Sequence, residues 1–382
     1  MKKILQRMDK PILLISIIMF AFGLIMVLSA SSMESYMRYG FSPYHYFIRQ
    51  AIFLGVGIIP FIFIIVFPTS KYKHLINLAM FGIVGLLIGL TVWGSVAKNA
   101  QSWFSIGPFN VQPSELAKII IIMFLAMYYD KHKDELDNQW VLLKPILLCI
   151  VIFVLVAIQP DLGTAAIIAL LTIFIFYAVP MTKKTRNIYN KIFLGGILVI
   201  LSVLLATGGS FLRSYQSERL NFFDPCERYQ EESGYQLCNS FIAFKNGGIS
   251  GQGIGESTQK YLYLPESYTD FIFPIIVEEC GLIVGIVILV IYMILLFRII
   301  KIARTATNIH NSLIAYGVFA YIFLHLLINL GGVMGLMPLT GVPLPYLSYG
   351  GSYTISLMVA IALVERVAIE TNTKKEKVLR KS

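Results

Sequence analysis

Ten apolar stretches, each about as long as a membrane-crossing helix, constrain this chain more than any other feature of its sequence. A helix needs about 20 mostly apolar residues to cross the hydrocarbon core of a bilayer. The pattern therefore predicts an all-α polytopic membrane protein with about ten transmembrane helices. The stretches cover residues 11–31, 51–68, 74–95, 114–129, 141–159, 161–180, 192–209, 270–300, 311–337 and 350–368.

Composition leaves no room for a soluble domain beside these spans. Hydrophobic residues make up 57% of the 382 residues and charged residues only 14%, whereas soluble proteins carry about 25% charged residues. The longest polar segment is about 210–269, between the seventh and eighth spans. We therefore expect residues 1–382 to form a single transmembrane domain with one large extracytoplasmic loop.

The basic residues predict how the chain is oriented. With the N-terminus inside, 21 of the 31 Lys and Arg residues fall on inner segments and 8 on outer ones. Because Lys and Arg accumulate in cytoplasmic loops, both termini are expected in the cytoplasm, including the tail 369–382. The net charge of +10 is then explained by topology, and no nucleic-acid partner is needed.

Three short outer segments combine Pro, Gly and polar residues at the ends of spans. They are residues 100–118, 159–164 and 337–352. Irregular backbone is tolerated at membrane depth where it is buried in protein or lines a watery cavity. The segments predict a polar cavity that opens outward. The alternative is a set of tight helix connections whose Pro and Gly only form turns.

Familiar catalytic motifs are missing from the sequence. The glycines of GGISGQGIG (247–255) follow no predicted strand, so they do not form a nucleotide-binding loop. No HExxH, CxxC or GxSxG occurs, and five His with four dispersed Cys form no metal cage. Acidic side chains close to cations are the remaining chemistry.

The stretch 261–282, YLYLPESYTDFIFPIIVEECGL, concentrates those acidic side chains. Asp270 opens an apolar run, and Glu278 and Glu279 lie about two turns further along it, with Glu266 just before. A carboxylate inside a bilayer costs roughly 2.5–3.5 kcal/mol, so it is a candidate for function. For Asp270 the alternative is a helix N-terminal charge or a cap partner of Thr269.

The candidate cations on the outer side are Lys118, Arg213, Arg219 and Lys260. A carboxylate with nearby cations suits a base that acts on a hydroxyl while an anionic group leaves, and it equally suits a transporter. Simpler interpretations remain. Glu115 and Lys118 have the spacing of a helix ion pair, the arginines suit lipid headgroups, and Trp103 suits an interfacial anchor.

Several stretches together resemble the SEDS family (shape, elongation, division and sporulation) of peptidoglycan polymerases. They occur in the family's order through most of the chain: QPSELAK (112–118), QPDLGTA (159–165), SGYQLCNS (233–240), GGISGQGIGESTQK (247–260), LPESYTDFIFPIIVEECG (264–281) and GLMPLTGVPLPYLSYGGS (335–352). GESTQK and SGYQL resemble the division branch, FtsW. The last stretch is also similar to the elongation branch, RodA.

The resemblance implies a glycosyltransferase that polymerises lipid II at the outer face of the bacterial cytoplasmic membrane. Its essential acidic residue corresponds to Asp270, which would accept a proton from the attacking hydroxyl. Undecaprenyl pyrophosphate would leave, stabilised by cations and by a divalent metal such as Mg or Mn, without an organic cofactor. The remaining substrate-binding candidates are Trp103, Glu115, Lys118, Arg213, Arg219, Lys260, Glu266 and Glu279.

The family also implies partners, namely a class B penicillin-binding protein with transpeptidase activity and, for the division branch, the divisome. Two other functions stay open. A lipid II flippase would need an alternating path through the bilayer, and a non-catalytic scaffold would not need Asp270.

Cys226 and Cys238 share the polar loop, with eleven residues between them. Outside the cytoplasm such a pair can oxidise, so we expect a disulfide, with two free thiols as the alternative. Cys149 and Cys280 lie in apolar stretches and resemble small hydrophobic residues.

Overall fold

The computed structural model describes residues 2–97, 100–107, 109–207 and 222–379. Within these ranges the chain is mainly helical. The helices are α1 (Lys2–Arg7), α2 (Lys10–Tyr39), α3 (His45–Val66), α4 (Lys73–Trp93), α5 (Pro113–Lys131), α6 (Gln139–Ile158), α7 (Leu162–Ala178), α8 (Lys183–Thr207), α9 (Glu232–Gly247), α10 (Ile272–Thr305), α11 (Ile309–Val333) and α12 (Gly351–Leu379).

Polar residues at the helix ends explain several of these boundaries. Asp9, Asn138, Asp161 and Asn308 each accept a hydrogen bond from a backbone N–H in the first turn of the helix that follows. Such N-caps satisfy donors that the helix itself leaves unpaired. The turn predicted at Gln159–Asp161 thus becomes the boundary between α6 and α7.

Three helices form the centre of the bundle. Most residues of α5, α11 and α12 are buried, and α11 packs against α5, α7, α10 and α12. The surrounding helices expose large apolar side chains such as Ile59 (71% exposed), Leu78 (70%) and Phe297 (68%). A soluble protein rarely exposes so much apolar surface, which here is suited to lipid. The protein is a multi-pass membrane protein.

Six helices in the described part of the chain are long and apolar enough to cross a membrane. They are Lys10–Tyr39, His45–Val66, Gln139–Ile158, Ile272–Thr305, Ile309–Val333 and Gly351–Val378, with shorter apolar helices at Leu75–Thr91 and Leu162–Ala178. Helices occupy all ten predicted stretches. The count of ten crossings stays a prediction.

The all-α prediction is wrong in one place. Strands β1 (Ser95–Ala97), β2 (Ala100–Ile106) and β3 (Phe109–Val111) form a three-stranded antiparallel sheet in the order β1-β2-β3. The turn between β2 and β3 contains Gly107 at φ 59°, a conformation that glycine adopts without strain. The segment predicted to line an outward cavity therefore contains most of this small sheet, which leads into α5, and the cavity itself stays a prediction.

The large loop and the tail also contain helix. Within 210–269, α9 forms an amphipathic helix of 16 residues, and the region after it is a series of turns that ends at α10. Residues 369–379 of the expected cytoplasmic tail continue α12 rather than forming a separate segment.

Candidate active site

Asp270 lies in a tight turn just before α10. Glu266 adopts the left-handed conformation (φ 59°), and its carbonyl accepts hydrogen bonds from the backbone N–H groups of Thr269 and Phe271. The Thr269 hydroxyl lies 2.9 Å from Glu266 Oε2 and 2.8 Å from Asp270 Oδ1, so it bridges the two carboxylates. A strained, non-glycine backbone of this kind is typical of functional sites.

The sequence left open that Asp270 is only a charge or cap at the N-terminus of a helix, and its position in the structure tests that interpretation. α10 begins at Ile272, its N-cap position is Phe271, and no side chain caps it. Asp270 is half-exposed, whereas Tyr268 and Phe271 on either side are buried. The carboxylate is therefore held at the protein surface by its neighbours and does not serve as the helix cap.

The segment between α11 and α12 fixes this turn from the other side. Ser348 Oγ donates to the carbonyl of Thr269 at 2.5 Å, and the backbone N–H of Tyr349 donates to the carbonyl of Tyr268 at 2.9 Å. Gly341, at φ 68°, approaches so closely that a Cβ there would lie 3.7 Å from Asp270 Oδ2. This segment forms one wall beside the carboxylate.

Asn329, in α11, links the turn to the same segment. Its amide nitrogen donates to the carbonyl of Asp270 at 2.7 Å and to the carbonyl of Val342 at 2.8 Å. Sequence reasoning missed Asn329 and also His325, one turn earlier. The sequence did contain a signal for both residues, because polar side chains within an apolar span are rare and face the bundle interior.

Tyr268 in this turn and Tyr349 in the facing segment have rings in contact, with centroids 5.8 Å apart. Burial raises the pKa of Tyr268 far above its usual value, and it also raises the pKa of Tyr349. Both phenols stay protonated near neutral pH and cannot take a proton from a hydroxyl. Among the groups in this turn, the carboxylates of Asp270 and Glu266 are the candidate bases.

Lys118 and Glu115 form a buried pair inside the bundle. Lys118 is 0% exposed, and its Nζ lies 2.8 Å from Glu115 Oε1 and 3.0 Å from His325 Nε2. The rings of Tyr321 and Tyr353 are within 6.0 Å of the ammonium group. Glu115 Oε2 is buried without a hydrogen-bond partner within the described ranges. In this state Lys118 is enclosed rather than presented to an open cavity.

Lys260 and Glu279 form a second buried pair. Lys260 Nζ lies 2.9 Å from Glu279 Oε1 and also donates to the carbonyl of Gly255 and to Ser29 Oγ. Ser29 in turn donates to both Glu279 oxygens. These contacts join the loop before Asp270 to α2 and α10. Through these contacts Lys260 and Glu279 hold that loop against α2 and α10.

Glu278 collects donors from the glycine-rich loop. Its carboxylate accepts hydrogen bonds from the side chains of Asn246, Ser257 and Thr258 and from the backbone N–H of Gln259. A buried carboxylate with four donors is well satisfied without a cation. Glu278 therefore holds the loop 246–259 against α10.

α10 is interrupted at Gly281, three residues after Glu278. Gly281 has φ 84° and ψ 167°, which are not helical. The loop after α9 supplies the missing hydrogen bonds. The N–H groups of Gln252 and Gly253 donate to the carbonyls of Glu278 and Glu279, and the N–H of Leu282 donates to the carbonyl of Gly248. The backbones approach so closely that a Cβ on Gly281 would lie 2.4 Å from the carbonyl oxygen of Ile249.

The remaining predicted site residues lie elsewhere. Trp103 is in β2, half-buried and paired in register with Ser95. Arg213 and Arg219 lie outside the described residues. Cys226 and Cys238 are joined by a disulfide that connects the start of the described outer loop to α9. The structure thus brings Asp270 together with Glu266, Glu115 with Lys118, and Lys260 with Glu279.

A metal site built from protein ligands alone is not present in the described ranges. They contain no group of three or more His, Cys, Asp or Glu side chains placed to hold a metal ion. The turn before α10 offers two carboxylates, Asp270 and Glu266, which Thr269 bridges. Mg²⁺ in phosphate-handling sites is often bound by one or two carboxylates, with substrate phosphates completing its ligands. The pair is compatible with that arrangement.

Comparison with known proteins gives full-length matches. The sequence profile of the FtsW/RodA/SpoVE family, described as cell cycle proteins, matches residues 9–373. The chain is 37% identical to the probable peptidoglycan glycosyltransferase FtsW of Bacillus subtilis, covering 98% of this chain and 95% of that protein. It is 33% identical to stage V sporulation protein E of the same organism, covering 94% and 96%.

Solved structures share the fold. A chain of a peptidoglycan synthase complex superposes with a TM-score of 0.76 at 23% identity, covering 95% of this chain and 98% of that one. RodA of Thermus thermophilus gives a TM-score of 0.67 at 20% identity, covering 94% and 96%. These findings confirm the resemblance drawn from the motifs. The chain belongs to the FtsW/RodA/SpoVE family of cell cycle proteins, the SEDS family, and lies on its FtsW branch.

Proposed function

We propose that this protein is a peptidoglycan glycosyltransferase that polymerises lipid II into glycan strands during septal wall synthesis. Curated relatives named as FtsW glycosyltransferases, similar along nearly the whole chain, support the activity. The observation that supports the site is the half-exposed Asp270 carboxylate, held in a turn that α11 and the segment between α11 and α12 fix in place.

In the proposed reaction, Asp270 acts as general base. The 4-hydroxyl of an incoming GlcNAc attacks the anomeric carbon of the growing strand, and its proton passes to the Asp270 carboxylate. The new bond joins O4 to the anomeric carbon, and the bond from that carbon to the pyrophosphate oxygen breaks. A hydroxyl is a poor nucleophile until a nearby group takes its proton, which is what this carboxylate can do.

The leaving undecaprenyl pyrophosphate needs positive charge. Arg213 and Arg219 remain candidates for this role. Lys118 would have to act from within the bundle or after a rearrangement, because its ammonium group is enclosed. A divalent cation such as Mg or Mn would neutralise phosphate charge when bound, with Glu266 as its candidate protein ligand, because Asp270 is needed to take the proton. No organic cofactor is proposed.

We place the site on the outer face of the bacterial cytoplasmic membrane, with ten crossings and both termini inside. The distribution of Lys and Arg supports this orientation. A class B penicillin-binding protein is the proposed partner, since a similar chain occurs in a peptidoglycan synthase complex that couples polymerization to crosslinking. Divisome proteins would bring the pair to the septum, whereas an elongation complex is the alternative suggested by the likeness to RodA.

The decisive test is a purified, full-length protein incubated with lipid II in detergent or proteoliposomes. Gel separation of glycan chains distinguishes polymerisation from the two alternatives. A flippase would move labelled lipid II across the bilayer without making chains, and a scaffold would do neither. Absence of chains with the protein alone and also with its transpeptidase partner would contradict the proposal.

A further inference from the structure

The segment between α11 and α12 has no regular secondary structure where it passes Asp270. Residues 341–345 contain neither helix nor strand, and two of them, Pro343 and Pro345, have no backbone N–H. Carbonyl groups in such a segment find no partners in a helix or a sheet, and buried carbonyls need partners. Side chains of the neighbouring helices must therefore hold this segment beside the Asp270 carboxylate.

Two polar side chains of α11 face successive carbonyls of this segment. Asn329 donates to the carbonyl of Val342 at 2.8 Å, and His325 Nδ1 lies 3.4 Å from the carbonyl oxygen of Pro343. The two side chains share one face of α11 because they are four residues apart. Since Asn329 also bonds the Asp270 turn, this face of α11 sets the distance between the turn and the segment.

Lys118 determines which nitrogen of His325 carries the ring hydrogen. Its Nζ lies 3.0 Å from His325 Nε2 and 2.8 Å from Glu115 Oε1. An ammonium group has three donors and no acceptor, so Nε2 of a neutral imidazole must accept from it. The ring hydrogen is then on Nδ1, where it faces the Pro343 carbonyl. A second hydrogen on Nε2 would point at the ammonium group.

Aromatic packing holds the His325 ring in this orientation. The side chain is fully buried, its ring is stacked on Tyr353 of α12 with centroids 4.7 Å apart, and Tyr321 meets it edge-on at 4.8 Å. The ring can exchange its two nitrogens only if these neighbours move. One imidazole therefore connects the buried Lys118–Glu115 pair to the segment beside Asp270.

We propose that His325 is a positioning residue for the glycosyl transfer described above. Lys118 holds its ring in the Nδ1–H form, and the ring keeps residues 341–345 at a fixed distance from Asp270 through the Pro343 carbonyl. Gly341, where a Cβ would lie 3.7 Å from Asp270 Oδ2, is displaced when this contact is lost. The inference rests on the proposed function and adds how the enclosed Lys118 acts on that site without touching the substrate.

Histidine NMR tests the bonding pattern independently of activity. The chain has five His, so the full-length protein with ¹⁵N-labelled histidine in liposomes gives few ring signals. The pair of signals that His325→Gln lacks belongs to residue 325, and their shifts report which nitrogen carries a hydrogen. We expect a neutral ring with its hydrogen on Nδ1 at neutral pH. A hydrogen on Nε2 alone, or on both nitrogens, would overturn the proposal even in a protein that polymerises lipid II.

Glycan-chain assays on purified, full-length variants test the positioning role. His325→Phe keeps a ring against Tyr321 and Tyr353 but removes both polar contacts, whereas His325→Gln offers an oxygen to Lys118 and an N–H to the carbonyl. We expect His325→Phe to lower kcat per folded molecule by about 10- to 10²-fold with little change in KM, since a misplacement of about 1 Å can cost 10²-fold. His325→Gln should recover most of the rate. The control His310→Phe, which removes the other buried His of α11, should change stability but not kcat.

The same assays separate positioning from packing. A kcat near the wild-type value in His325→Phe, or an equal loss in His310→Phe, would mean that His325 only supports the fold. An equal loss in His325→Gln would assign the effect to the ring rather than to its hydrogen bonds, and a change confined to KM would assign it to substrate binding. Each of these results overturns the proposal. A wild type that makes no chains overturns the proposed function and the role of His325 with it, but leaves the NMR assignment of the ring standing.

A double-mutant cycle tests the route from Lys118 through His325. It is measured in a Glu115→Gln background, so that no variant leaves a buried carboxylate without its cation. If Lys118 acts through the imidazole, Lys118→Met and His325→Phe together should lower kcat no more than the larger single change does. Losses that multiply would show that the two residues act independently, and this route would be wrong.

Discussion

The Asn329 side chain donates to the main-chain carbonyl of Asp270 at 2.7 Å, so a buried residue of α11 sets the position of the proposed base. The same amide bonds the carbonyl of Val342 at 2.8 Å. One side chain therefore fixes both the turn that carries the carboxylate and the segment that forms the wall beside it. Precise placement of a general base matters because proton transfer requires hydrogen-bond distance to the reacting hydroxyl.

Asp270→Asn should abolish most of the activity while leaving the fold intact. The change is nearly isosteric, and the Asp270 side chain does not cap α10. What is lost is the capacity to accept a proton, which typically contributes about 10²–10⁴-fold. We expect normal expression, unchanged thermal stability and retained lipid II binding, with polymerisation at least about 10²-fold slower. Long glycan chains at a near wild-type rate would refute the assignment of Asp270.

Asn329→Leu should reduce turnover more than it reduces lipid II binding. The change leaves the carbonyls of Asp270 and Val342 without this donor, at a cost of about 1–3 kcal/mol for each buried group. The matched control is Asn311→Leu, which removes an amide bonded to Glu370 at the other end of the same helix. Both variants should lose thermal stability, but only Asn329→Leu should slow polymerisation per folded molecule. Equal specific activities would show that Asn329 is purely structural.

Lys118→Ala should impair polymerisation more than Lys245→Ala, which changes an exposed lysine of α9. Because Lys118 is fully buried against Glu115, the single change leaves an uncompensated carboxylate and should cost about 3–5 kcal/mol of stability. The double variant Glu115→Gln/Lys118→Met removes both charges and should recover most of that stability. If it also recovers polymerisation, Lys118 stabilises the bundle and has no part in the chemistry. Thermal unfolding and glycan-chain assays on the same preparations decide this.

The Cys226–Cys238 disulfide predicts a measurable stability difference. Closing a loop of this length contributes about 3 kcal/mol in the chain-entropy estimate, which is model-dependent. Cys226→Ser/Cys238→Ser should unfold at a lower temperature than the wild type, whereas Cys280→Ser serves as a control outside the loop. Intact mass after alkylation without reductant should show both loop cysteines unmodified. Alkylation of both would mean that the bond is absent from the isolated protein.

Thiol labelling tests the orientation of the chain. In a background with Cys149 and Cys280 replaced by alanine, Ser250→Cys should react with an impermeant maleimide in intact cells, and Lys377→Cys should react only after lysis. Both positions are exposed, whereas Ser233, in the same outer loop, is buried and would label poorly. The opposite labelling pattern would invert the proposed topology.

The length of the apolar stretches was sufficient to locate the long helices, because length and polarity alone decide which segments suit a bilayer. The i,i+3 spacing suggested the ion pair of Glu115 and Lys118, but the sequence could not show that His325 joins it inside the bundle, since that contact joins residues 207 positions apart. The hydrogen bond from Asn329 to Asp270 could not be predicted for the same reason, because these two residues are also far apart in the sequence. The sheet at β1–β3 was missed because aromatic and small polar residues next to a Gly-Pro turn suit a cavity rim equally well.

The break at Gly281 divides α10 into a short outer segment, residues 272–280, and a longer membrane-spanning segment. A helix turns about 100° per residue, so one residue added to or deleted from the outer segment would rotate the turn that carries Asp270 relative to the membrane-spanning segment. The backbone of the loop is bonded to the backbone on both sides of the break, and the Glu278 carboxylate adds side-chain contacts to the same loop. Substitutions on this stretch can be tolerated wherever a side chain points outward, but an insertion between Ile272 and Gly281 would turn Asp270 away from Asn329.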